Sequence, residues 1–436
     1  MRLNTLNLNV AARPRTHEGA PAVAITPELQ LRRSVLCCML WENEFYESGV
    51  AIANRIASLV PQVDAEAVAA LAIEAREKMK LRHAPLLLVR EMARLKTHRH
   101  LVADTLARVI QRADELAEFV SIYWKDGKQP LSAQVKKGLA LAFAKFDEYA
   151  LAKYNRDGQV KLRDVLFLCH AKPNGEAQEA LWKRLAEGEL ATPDTWEVRL
   201  SAGAEKREAW ESLLRENKLG ALALLRNLRN MKTADVDENL VLAALRNMRT
   251  DRVLPFRFIA AARYAPQWES EIEATMLRCV TAEQKIPGKT VLLVDVSGSM
   301  TAQLSRKSDM LRTDAAYGLA ILLRELCQDV AIYTFSNALV RVAGRRGFAL
   351  RDALDKSQTH GGTMLGDSLR KLHESYDRII VITDEQSHDR VPAPNGRGYV
   401  INVASNKNGV GYGAWNHIDG WSEAVIDYIR EFEREE

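Results

Sequence analysis

Apolar residues recur every three or four positions along most of the first part of the chain. From Pro27 to Met276 this spacing is nearly continuous, and strand-like alternation is almost absent. In the stretch 102–120, for example, apolar side chains return at that interval and would line one face of a helix. Breaker sequences such as DGKQP, NRDGQ, KPNGE and ATPDT separate these stretches. The pattern predicts an all-α array of helices.

Two short segments of this array echo each other, LRNLRNM at 225–231 and LRNMRTD at 245–251. In each segment, basic and amide side chains occupy the end of a predicted apolar helix. Paired helices of this length are the units from which solenoids are built, although the echo is too short to establish a repeat by itself. We therefore predict a curved helical-repeat architecture and leave an irregular helical array as the alternative.

The pattern changes after KIPGK at 285–289. Continuous apolar runs in TVLLVDVSG, DVAIYTFS, LVRVAG, RIIVITDE and YVINVAS predict strands, and MLRTDAAYGLAILLREL, LGDSLRKLHES and WSEAVIDYIREFE predict helices. Such alternation is typical of a parallel sheet that helices cover on both faces. The predicted fold class is multidomain, with an all-α helical-repeat domain over residues 1–285 followed by a doubly wound α/β domain over residues 286–436.

Composition narrows the class of protein only slightly. The 436 residues are 47% hydrophobic, and no run approaches the roughly 20 apolar residues that a membrane-spanning helix needs. The first residues lack the apolar stretch of a secretory signal, so we expect a cytoplasmic protein with no membrane partner. The net charge is +4, and the basic surplus lies in the first 285 residues. That surplus permits a polyanionic partner without requiring one.

The five cysteines are scattered along the chain, at positions 37, 38, 169, 279 and 327. No C-x-x-C pair and no histidine spacing suggest a zinc site. We expect buried, reduced thiols. Adjacent Cys37 and Cys38 stand in the apolar run SVLCCMLW, where small buried side chains are expected.

Five oxygen-bearing side chains follow the predicted strands, at the edge where such sheets bind ligands. Asp295, Ser297 and Ser299 follow the first strand, Thr363 lies in HGGTMLGDS ahead of a helix, and Asp384 ends RIIVITD. Oxygen ligands in which hydroxyls outnumber carboxylates suit a hard divalent cation that keeps some of its waters, as Mg²⁺ does. A carboxylate or phosphate oxygen of a partner could fill an open coordination position.

In this order and placement, D-x-S-G-S, G-G-T and the strand-terminal T-D resemble the metal-ion-dependent adhesion site of von Willebrand factor A domains. The resemblance implies that Ser297, Ser299 and Thr363 ligate the metal directly, while Asp295 and Asp384 act largely through water. The following residue, glutamate 385, departs from the small residue often found there and adds local negative charge. The alternative is a site that has lost its metal, whose hydroxyls cap the helices they precede.

Three enzymatic motifs fail on the same stretch. The tripeptide GKT at 288–290 resembles the end of a phosphate-binding loop, but Glu283 occupies the glycine position and a predicted strand follows. Ser297 stands where an aspartyl-phosphate phosphatase needs a second carboxylate. The sequence VSGSM does not supply the G-x-S-x-G elbow of a serine hydrolase. We therefore expect no catalytic residues.

Lysine, arginine, histidine and asparagine gather in several loops and helix ends of the helical part. Such side chains neutralise phosphates and contact bases or 2′-hydroxyls. Taken one at a time, each is also explained as a solvated helix terminus. The candidate RNA-binding residues are Lys136, Lys137, Lys153, Arg156, His170, Lys172, Arg226, Arg229 and Arg246.

The order of these segments carries a second resemblance. Seven segments, in their order along the chain, resemble the TROVE domain of the Ro autoantigen and telomerase-associated proteins. They are HEGAPA, TPELQLRRSVLCCMLWENEFYESG, APLLLVREMARL, PLSAQVKKGLALAF, KYNRDGQVKLRDVLFLCHAKP, LLRNLRN and LPFRF. With an A domain behind it, this order is similar to the Ro ribonucleoprotein architecture. The resemblance implies a HEAT-like ring of helices closed by the A domain. Its basic hole would accept single-stranded RNA ends, and its outer surface would bind a small Y RNA.

Carried onto this sequence, the Ro resemblance assigns RNA contacts to His170, in LCHAKP, and to Lys153, in KYNR. Asp157 stands where family members can carry another basic residue, which implies a weaker or shifted Y-RNA face. The other basic candidates rest on composition. The sequence thus predicts a non-catalytic RNA-binding scaffold. It would bind a small noncoding Y-like RNA and single-stranded 3′ ends of misfolded RNA, in quality control or processing with nucleases such as an exoribonuclease. The alternative is a metal-dependent protein-interaction module.

Overall fold

The computed structural model describes residues 14–36, 48–201, 205–250, 253, 255–278, 285–305, 308–404, 406, 408–411, 413–420, 425, 428–430 and 433. The predictions for Cys37, Cys38 and Cys279 lie outside these residues. Within them, Cys169 and Cys327 are buried and form no disulfide. No helix in this part of the chain combines the length and the apolar character that crossing a bilayer requires.

Helices fill the described residues ahead of the sheet. The first ten are α1 (Pro27–Leu36), α2 (Gly49–Leu59), α3 (Ala65–Glu77), α4 (His83–Arg94), α5 (Val102–Val109), α6 (Asp114–Tyr123), α7 (Ala133–Phe143), α8 (Glu148–Tyr154), α9 (Leu162–Cys169) and α10 (Glu176–Glu187). The next six are α11 (Trp196–Ser201), α12 (Lys206–Arg215), α13 (Ala221–Thr233), α14 (Glu238–Asn247), α15 (Pro255–Tyr264) and α16 (Glu269–Arg278).

Side-chain caps fix the starts of several of these helices. The Oγ of Ser48 accepts a hydrogen bond from the N–H of Ala51, and the Oδ1 of Asp147 accepts one from the N–H of Ala150. These bonds satisfy backbone donors that the first turn of a helix leaves without an intrahelical partner. Polar residues between the apolar stretches therefore mark where helices begin.

One predicted helix is wrong: the stretch 102–120 forms two helices, α5 and α6, with a bend at 110–113. The Oε2 of Glu115 accepts the N–H groups of Gln111 and Arg112 at 2.8 and 3.0 Å, and these donors would otherwise continue α5. The apolar spacing runs through the bend because Ile110 and Ala113 are buried like their neighbours on both helices. Hydrophobic period alone therefore did not reveal the break.

Alternate helices stack on one another, as in a helical repeat. Helix α3 contacts α5, α5 contacts α7, and α7 contacts α9, while α12, α14 and α16 stack in the same way nearer the sheet. Gly138 permits the close approach of α5 and α7, because a Cβ at this position would lie 2.8 Å from the carbonyl oxygen of Ala103. The predicted helical array is confirmed.

A six-stranded sheet follows the helices. The strands of the α/β part are β1 (Ile286–Asp295), β2 (Gln303–Ser305), β3 (Ser308–Leu311), β4 (Cys327–Phe335), β5 (Leu339–Val342), β6 (Arg378–Thr383), β7 (Arg397–Asn402) and β8 (Asn416–Asp419). Its helices are α17 (Arg312–Leu326), α18 (Gly347–Asp355) and α19 (Leu365–Lys371). The sheet order is β5-β4-β1-β6-β7-β8, in which β5 is antiparallel to β4 and the other neighbours are parallel.

The doubly wound α/β prediction is confirmed. Leu292 and Val294 of β1 pack into one core with α17, whereas Val291 and Leu293 pack into the core on the opposite face, which contains Leu365 of α19. Of the predicted helix 421–433, the described residues 425, 428–430 and 433 are helical. The sequence pattern missed β8 and the separate β2–β3 hairpin, because these strands are short and rich in polar residues.

The helical array begins and ends on the α/β part. Helix α1 contacts β8, and α15 and α16 contact α17 and α18. Helices α1–α10 enclose one hydrophobic core, while α12–α16 share a second core with α17 and one face of the sheet. The array therefore leaves the sheet and returns to it, which is the closed arrangement that the Ro resemblance implies. The domain boundary at residues 285/286 stays a prediction, since the second core is continuous across it.

Candidate metal centre and nucleic-acid interface

The carboxyl end of β1 opens the candidate metal centre. Asp295 ends the strand and is fully buried. Its carboxylate accepts hydrogen bonds from the N–H of Ser297 at 2.8 Å and from the Oγ1 of Thr383 at 2.6 Å. The Oγ atoms of Ser297 and Ser299 lie 3.3 Å apart. The turn after β1 thus brings two hydroxyls together beside a buried carboxylate.

Thr363 belongs to the loop between α18 and α19, and hydrogen bonds tie this loop to its neighbours. The N–H of Gly298 donates to the carbonyl of Gly361 at 2.8 Å, which joins the loop to the turn after β1. The N–H of His388 donates to the carbonyl of Thr363 at 2.8 Å, and the N–H of Thr363 donates to the Nδ1 of His388 at 3.1 Å. The three loops that carry the predicted ligands therefore meet at one edge of the sheet.

Asp384 directly follows β6 and pairs with an arginine that the sequence reasoning missed. The Nη1 of Arg312 lies 3.3 Å from the Oδ2 of Asp384, and both side chains are buried. The Oδ1 of Asp384 accepts the N–H of Gln386 at 3.3 Å. The sequence offers one weak signal for this pair, an arginine placed directly after Met310 and Leu311. The guanidinium offsets part of the charge of Asp384, so a bound cation would face chiefly Asp295 and the hydroxyls.

The charge balance of these residues fits a cation. Burial and the neighbouring Asp384 raise the pKa of Asp295 to about 7, because both oppose a negative charge on this carboxyl. In the part of the chain that the structure describes, no three carboxylate, imidazole or thiol groups cluster as metal ligands. Hydroxyl groups would have to supply the remaining ligands, which is the donor set expected for Mg²⁺. The metal itself stays a prediction.

Glu385 does not add its charge to the metal centre, and that expectation is wrong. Its buried carboxylate pairs with the guanidinium of Arg33, accepts the N–H of Gly411 at 2.7 Å and lies 2.9 Å from the Nε2 of His417. Although burial opposes ionisation, Arg33 and His417 lower the pKa of Glu385 to about 2. This residue therefore anchors α1 to the α/β part.

The segment ahead of α1 lies along the loop that follows Asp384. The Oγ1 of Thr16 donates to the carbonyl of Ser387 at 2.8 Å. The Oε2 of Glu18 lies 3.0 Å from the Nε2 of His388, the imidazole whose other nitrogen contacts Thr363. The sequence reasoning gave this segment no structural role beyond its family resemblance. The segment 14–20 is distant from the metal centre in sequence, and the fold places it beside that centre.

Four predicted RNA-binding residues lie on α7 and just beyond α9. Lys136 is half-buried, whereas Lys137, His170 and Lys172 are exposed. Burial raises the pKa of the Cys169 thiol and nearby Lys136 opposes that rise, so this lysine lies close to the residue that precedes His170. His170 has a positive φ of 53° and ends α9. We call these four residues the α7–α9 surface.

Lys153 and Arg156 lie at the end of α8. The Nζ of Lys153 lies 5.6 Å from the ring centroid of Tyr149 and 5.7 Å from that of Tyr154. Arg156 is exposed two residues beyond the helix. Positive charge beside aromatic rings is a combination that nucleic-acid-binding surfaces use.

The remaining three predicted residues divide into two groups. Arg226 and Arg229 are exposed on α13 and line one cleft with α15. Arg246 of α14 instead pairs with Glu271 of α16 at 2.9 Å. An ion pair between neighbouring helices explains Arg246 structurally, so its RNA contact stays a prediction.

Similarity to known proteins points to one family. A family model described as the TROVE domain matches residues 182–290. Telomerase protein component 1 of Mus musculus and that of Rattus norvegicus are 33% and 32% identical over 91 residues, which are 20% of this chain and 4% of each relative. The crystal structure of the Deinococcus radiodurans Ro (RSR) protein matches with a TM-score of 0.63 and 18% identity, and the match covers 94% of this chain and 99% of that one. Residues 182–290 therefore match a TROVE domain, and the chain has the fold of a Ro protein.

These similarities cover different parts of the chain. The TROVE match runs from α10 into β1, so it contains Arg226, Arg229 and Arg246 but not the α7–α9 surface. At 18% identity the Ro structure establishes the fold alone. The matched segment spans 4% of each telomerase component, so their activity is not transferred to this chain.

Proposed function

We propose that this chain is a Ro-family protein and serves as a non-catalytic RNA-binding scaffold in the cytoplasm. The helical array binds a small structured Y-like RNA and the single-stranded 3′ ends of misfolded RNA. The metal centre binds a protein partner, for which an exoribonuclease is the class that RNA quality control would use. In this role the chain selects RNA by shape and charge and delivers it, while another protein cuts it.

The observation that carries the proposal is a difference in ion pairing between two kinds of basic residue. Many arginines of the array join helices: Arg76 pairs with Glu115 and Arg184 with Glu148, each at 2.7 Å. Among the described residues, six of the predicted RNA-binding side chains form no ion pair with a carboxylate, namely Lys136, Lys137, Lys153, Arg156, His170 and Lys172. Basic groups that the fold does not use for pairing are suited to neutralise phosphates.

The acidic residue Asp157, close to Lys153 and Arg156, has only a limited effect on the positive charge of this region. Asp157 stands where the family resemblance implies a basic residue, but its Oδ1 lies 2.7 Å from the Nζ of Lys161. That lysine lowers the pKa of the exposed Asp157 carboxyl and offsets its charge. Attraction of RNA phosphates by Lys153 and Arg156 is therefore compatible with an aspartate at this position.

For the metal centre, we infer that Ser297, Ser299 and Thr363 bind Mg²⁺ directly and that Asp295 and Asp384 hold its waters. The bound ion would supply an open coordination position for a carboxylate of the partner protein. Asp295 keeps the turn after β1 in place through its bond to the N–H of Ser297. Arg312 holds Asp384 in place through the ion pair between its Nη1 and the Oδ2 of Asp384.

The proposal is tested with purified protein and two fluorescent RNAs, one a blunt hairpin and the other the same hairpin with a single-stranded 3′ tail. We expect the tailed RNA to bind at least tenfold more tightly. We also expect affinity to fall steeply between 50 and 200 mM salt, because phosphate contacts release counterions. Equal affinity for both RNAs would exclude recognition of single-stranded ends. A flat salt response would exclude a phosphate-based interface.

Copurification distinguishes the scaffold from a protein-interaction module that binds no RNA. We expect a tightly associated small RNA and a high ratio of absorbance at 260 nm to that at 280 nm. A clean protein spectrum, with protein partners that bind only in Mg²⁺, would favour the interaction module instead. Degradation of RNA by the pure protein, lost on Asp295→Ala, would show that the chain is an enzyme.

A further inference from the structure

Two facing helices near the sheet form a cleft with a strongly basic lining. The cleft has a volume of about 360 Å³ and lies between α13 and α15, next to β3. Arg226 and Arg229 come from α13, and Arg257 and Arg263 come from α15. Among the described residues that line it there is no carboxylate. We call these four arginines, together with Tyr264, the arginine cleft.

Helical spacing explains how the cleft forms. Positions 222, 226 and 229 fall on one face of α13, and positions 257, 260 and 264 fall on one face of α15. Ala260 and Ala261 lie between Arg257 and Tyr264 along α15, and they line the cleft together with Met310 of β3. Small side chains at these two positions leave open a space that larger ones would fill.

Most arginines of the cleft are not used for ion pairing. Only Arg263, which lies 2.5 Å from Asp314, has a carboxylate partner among the described residues. The three that form no such pair are Arg226, Arg229 and Arg257. Burial and the neighbouring Arg226 lower the pKa of Arg257, because the two positive charges repel each other. An anion in the cleft would relieve that repulsion.

Tyr264 adds an aromatic surface to this concentration of positive charge. The residue is 37% exposed, and the guanidinium carbon of Arg229 lies 5.8 Å from its ring centroid. Cationic groups beside an exposed ring are what single-stranded nucleic acids bind, with phosphates on the cations and bases stacked on the rings. The volume lies near the lower end of ligand pockets, which span roughly 300–1,000 Å³. It therefore suits a single nucleotide and is too small for a duplex.

We propose that the arginine cleft binds one nucleotide of single-stranded RNA, with the phosphate on Arg226 and Arg257 and the base on Tyr264. The inference rests on the proposed RNA-binding role and adds a site on different helices from the α7–α9 surface. An acidic protein segment would satisfy the arginines but would gain little from the ring. Single-stranded RNA uses both features.

The test uses the full chain, a fluorescent hexauridylate and fluorescence anisotropy. We expect Arg226→Gln with Arg257→Gln to raise the Kd for hexauridylate at least tenfold, and Tyr264→Leu to raise it at least threefold. The matched control, Arg207→Gln with Arg215→Gln, also removes two charges from this half of the array, but at arginines of α12 that both pair with Glu211. It should change the Kd less than twofold. Melting temperatures confirm that each variant is folded.

The outcomes separate this inference from the proposed function. If the cleft variants bind hexauridylate as tightly as the unaltered chain does, the cleft inference is wrong while RNA binding stands. The same holds if the unaltered chain binds a structured RNA but not hexauridylate. Loss of affinity in the arginine variant without any loss in Tyr264→Leu, or equal competition by polyglutamate, would show an anion site that is not specific for a nucleotide. A chain that binds no RNA of either kind would overturn the proposed function itself.

Discussion

Arg33 and Glu385 form an ion pair in which neither side chain is exposed to solvent. Arg33 lies on α1, the first helix of the array, and Glu385 follows Asp384 of the metal centre. The Nε2 of His417 lies 2.9 Å from Glu385, and its Nδ1 lies 3.5 Å from Asp419. One buried network of charges thus joins the start of the helical array to the α/β part, at the edge of the sheet where the metal centre lies.

Replacing Arg33 with Met should destabilise the protein strongly, because it leaves Glu385 buried without its guanidinium. Removing one partner of a buried ion pair costs roughly 3–5 kcal/mol. Urea unfolding measures the loss, and Glu385→Gln in the same chain should restore part of it. The adjacent Arg32 provides the control, since its pair with Glu74 is partly exposed and Arg32→Met should cost about 1 kcal/mol or less. Equal losses for the two variants would contradict the assignment.

The same network predicts how stability depends on pH. Burial opposes the charge on His417, but Glu385 and Asp419 raise its pKa to about 9, above the ordinary value of 6.5. A raised pKa means that the stabilisation is complete below pH 6.5 and is lost as the pH rises through 9. The free energy of unfolding should therefore fall across this interval, because Glu385 and Asp419 lose the positive charge of His417. In His417→Gln the profile should be flatter, and in the exposed control His100→Gln it should be unchanged.

The sequence alone predicted those parts of the structure that are determined by residues close together along the chain. The apolar runs of β1 and β6 are buried in the sheet, and Asp295, Ser297 and Ser299 are adjacent because one turn carries all three. It did not predict ion pairs between residues that are far apart along the chain. Arg33 and Glu385 are 352 positions apart, and the burial of an arginine or a glutamate depends on a partner that no local pattern identifies.

The bend between α5 and α6 has a related cause. A helical apolar period shows which face of the chain is buried, but it does not show whether the backbone is continuous. At this bend one carboxylate, that of Glu115, takes over two backbone donors. Its effect depends on Arg76, whose Nε donates to the carbonyl of Val109 and whose Nη2 lies 2.7 Å from Glu115. That arginine comes from α3, so the sequence around the bend does not reveal it.

Ser299→Ala should remove most of the stabilisation that Mg²⁺ provides. An ion at a concentration of 100 times its Kd stabilises a folded protein by about 2.7 kcal/mol, and a variant with a weaker site loses that gain. The measurement is the melting temperature with and without MgCl₂ at constant ionic strength. Thr301→Ala is the matched control, because its exposed hydroxyl lies in the same turn and donates to the carbonyl of Gly298. A similar Mg²⁺ response in both variants would show that Ser299 is not a ligand.

Arg312→Gln should have the opposite effect on the metal centre. The guanidinium offsets the charge of Asp384, so its removal leaves two buried carboxylates with less counter-charge. We expect the melting temperature without metal to fall and the increase on adding Mg²⁺ to become larger than in the unaltered chain. Isothermal titration with MgCl₂ would measure the tighter binding directly. A lower Mg²⁺ affinity would mean that Arg312 supports metal binding by positioning the ligands, and that this effect outweighs the repulsion between its charge and the cation.

Lys153→Glu with His170→Ser should weaken binding of Y-like RNA and leave Mg²⁺ binding unchanged, because these residues and the metal centre lie in different parts of the fold. Each lost phosphate contact also lowers the dependence of log K on log salt concentration, by about 0.7–0.9. Binding curves at several salt concentrations therefore separate a lost phosphate contact from a general change in charge. The control is Lys183→Glu, at an exposed lysine of α10 that is not among the predicted contacts. If Lys183→Glu lowers the affinity and the salt dependence as much as the double variant does, RNA binding depends on the total surface charge. The assignment of Lys153 and His170 is then wrong.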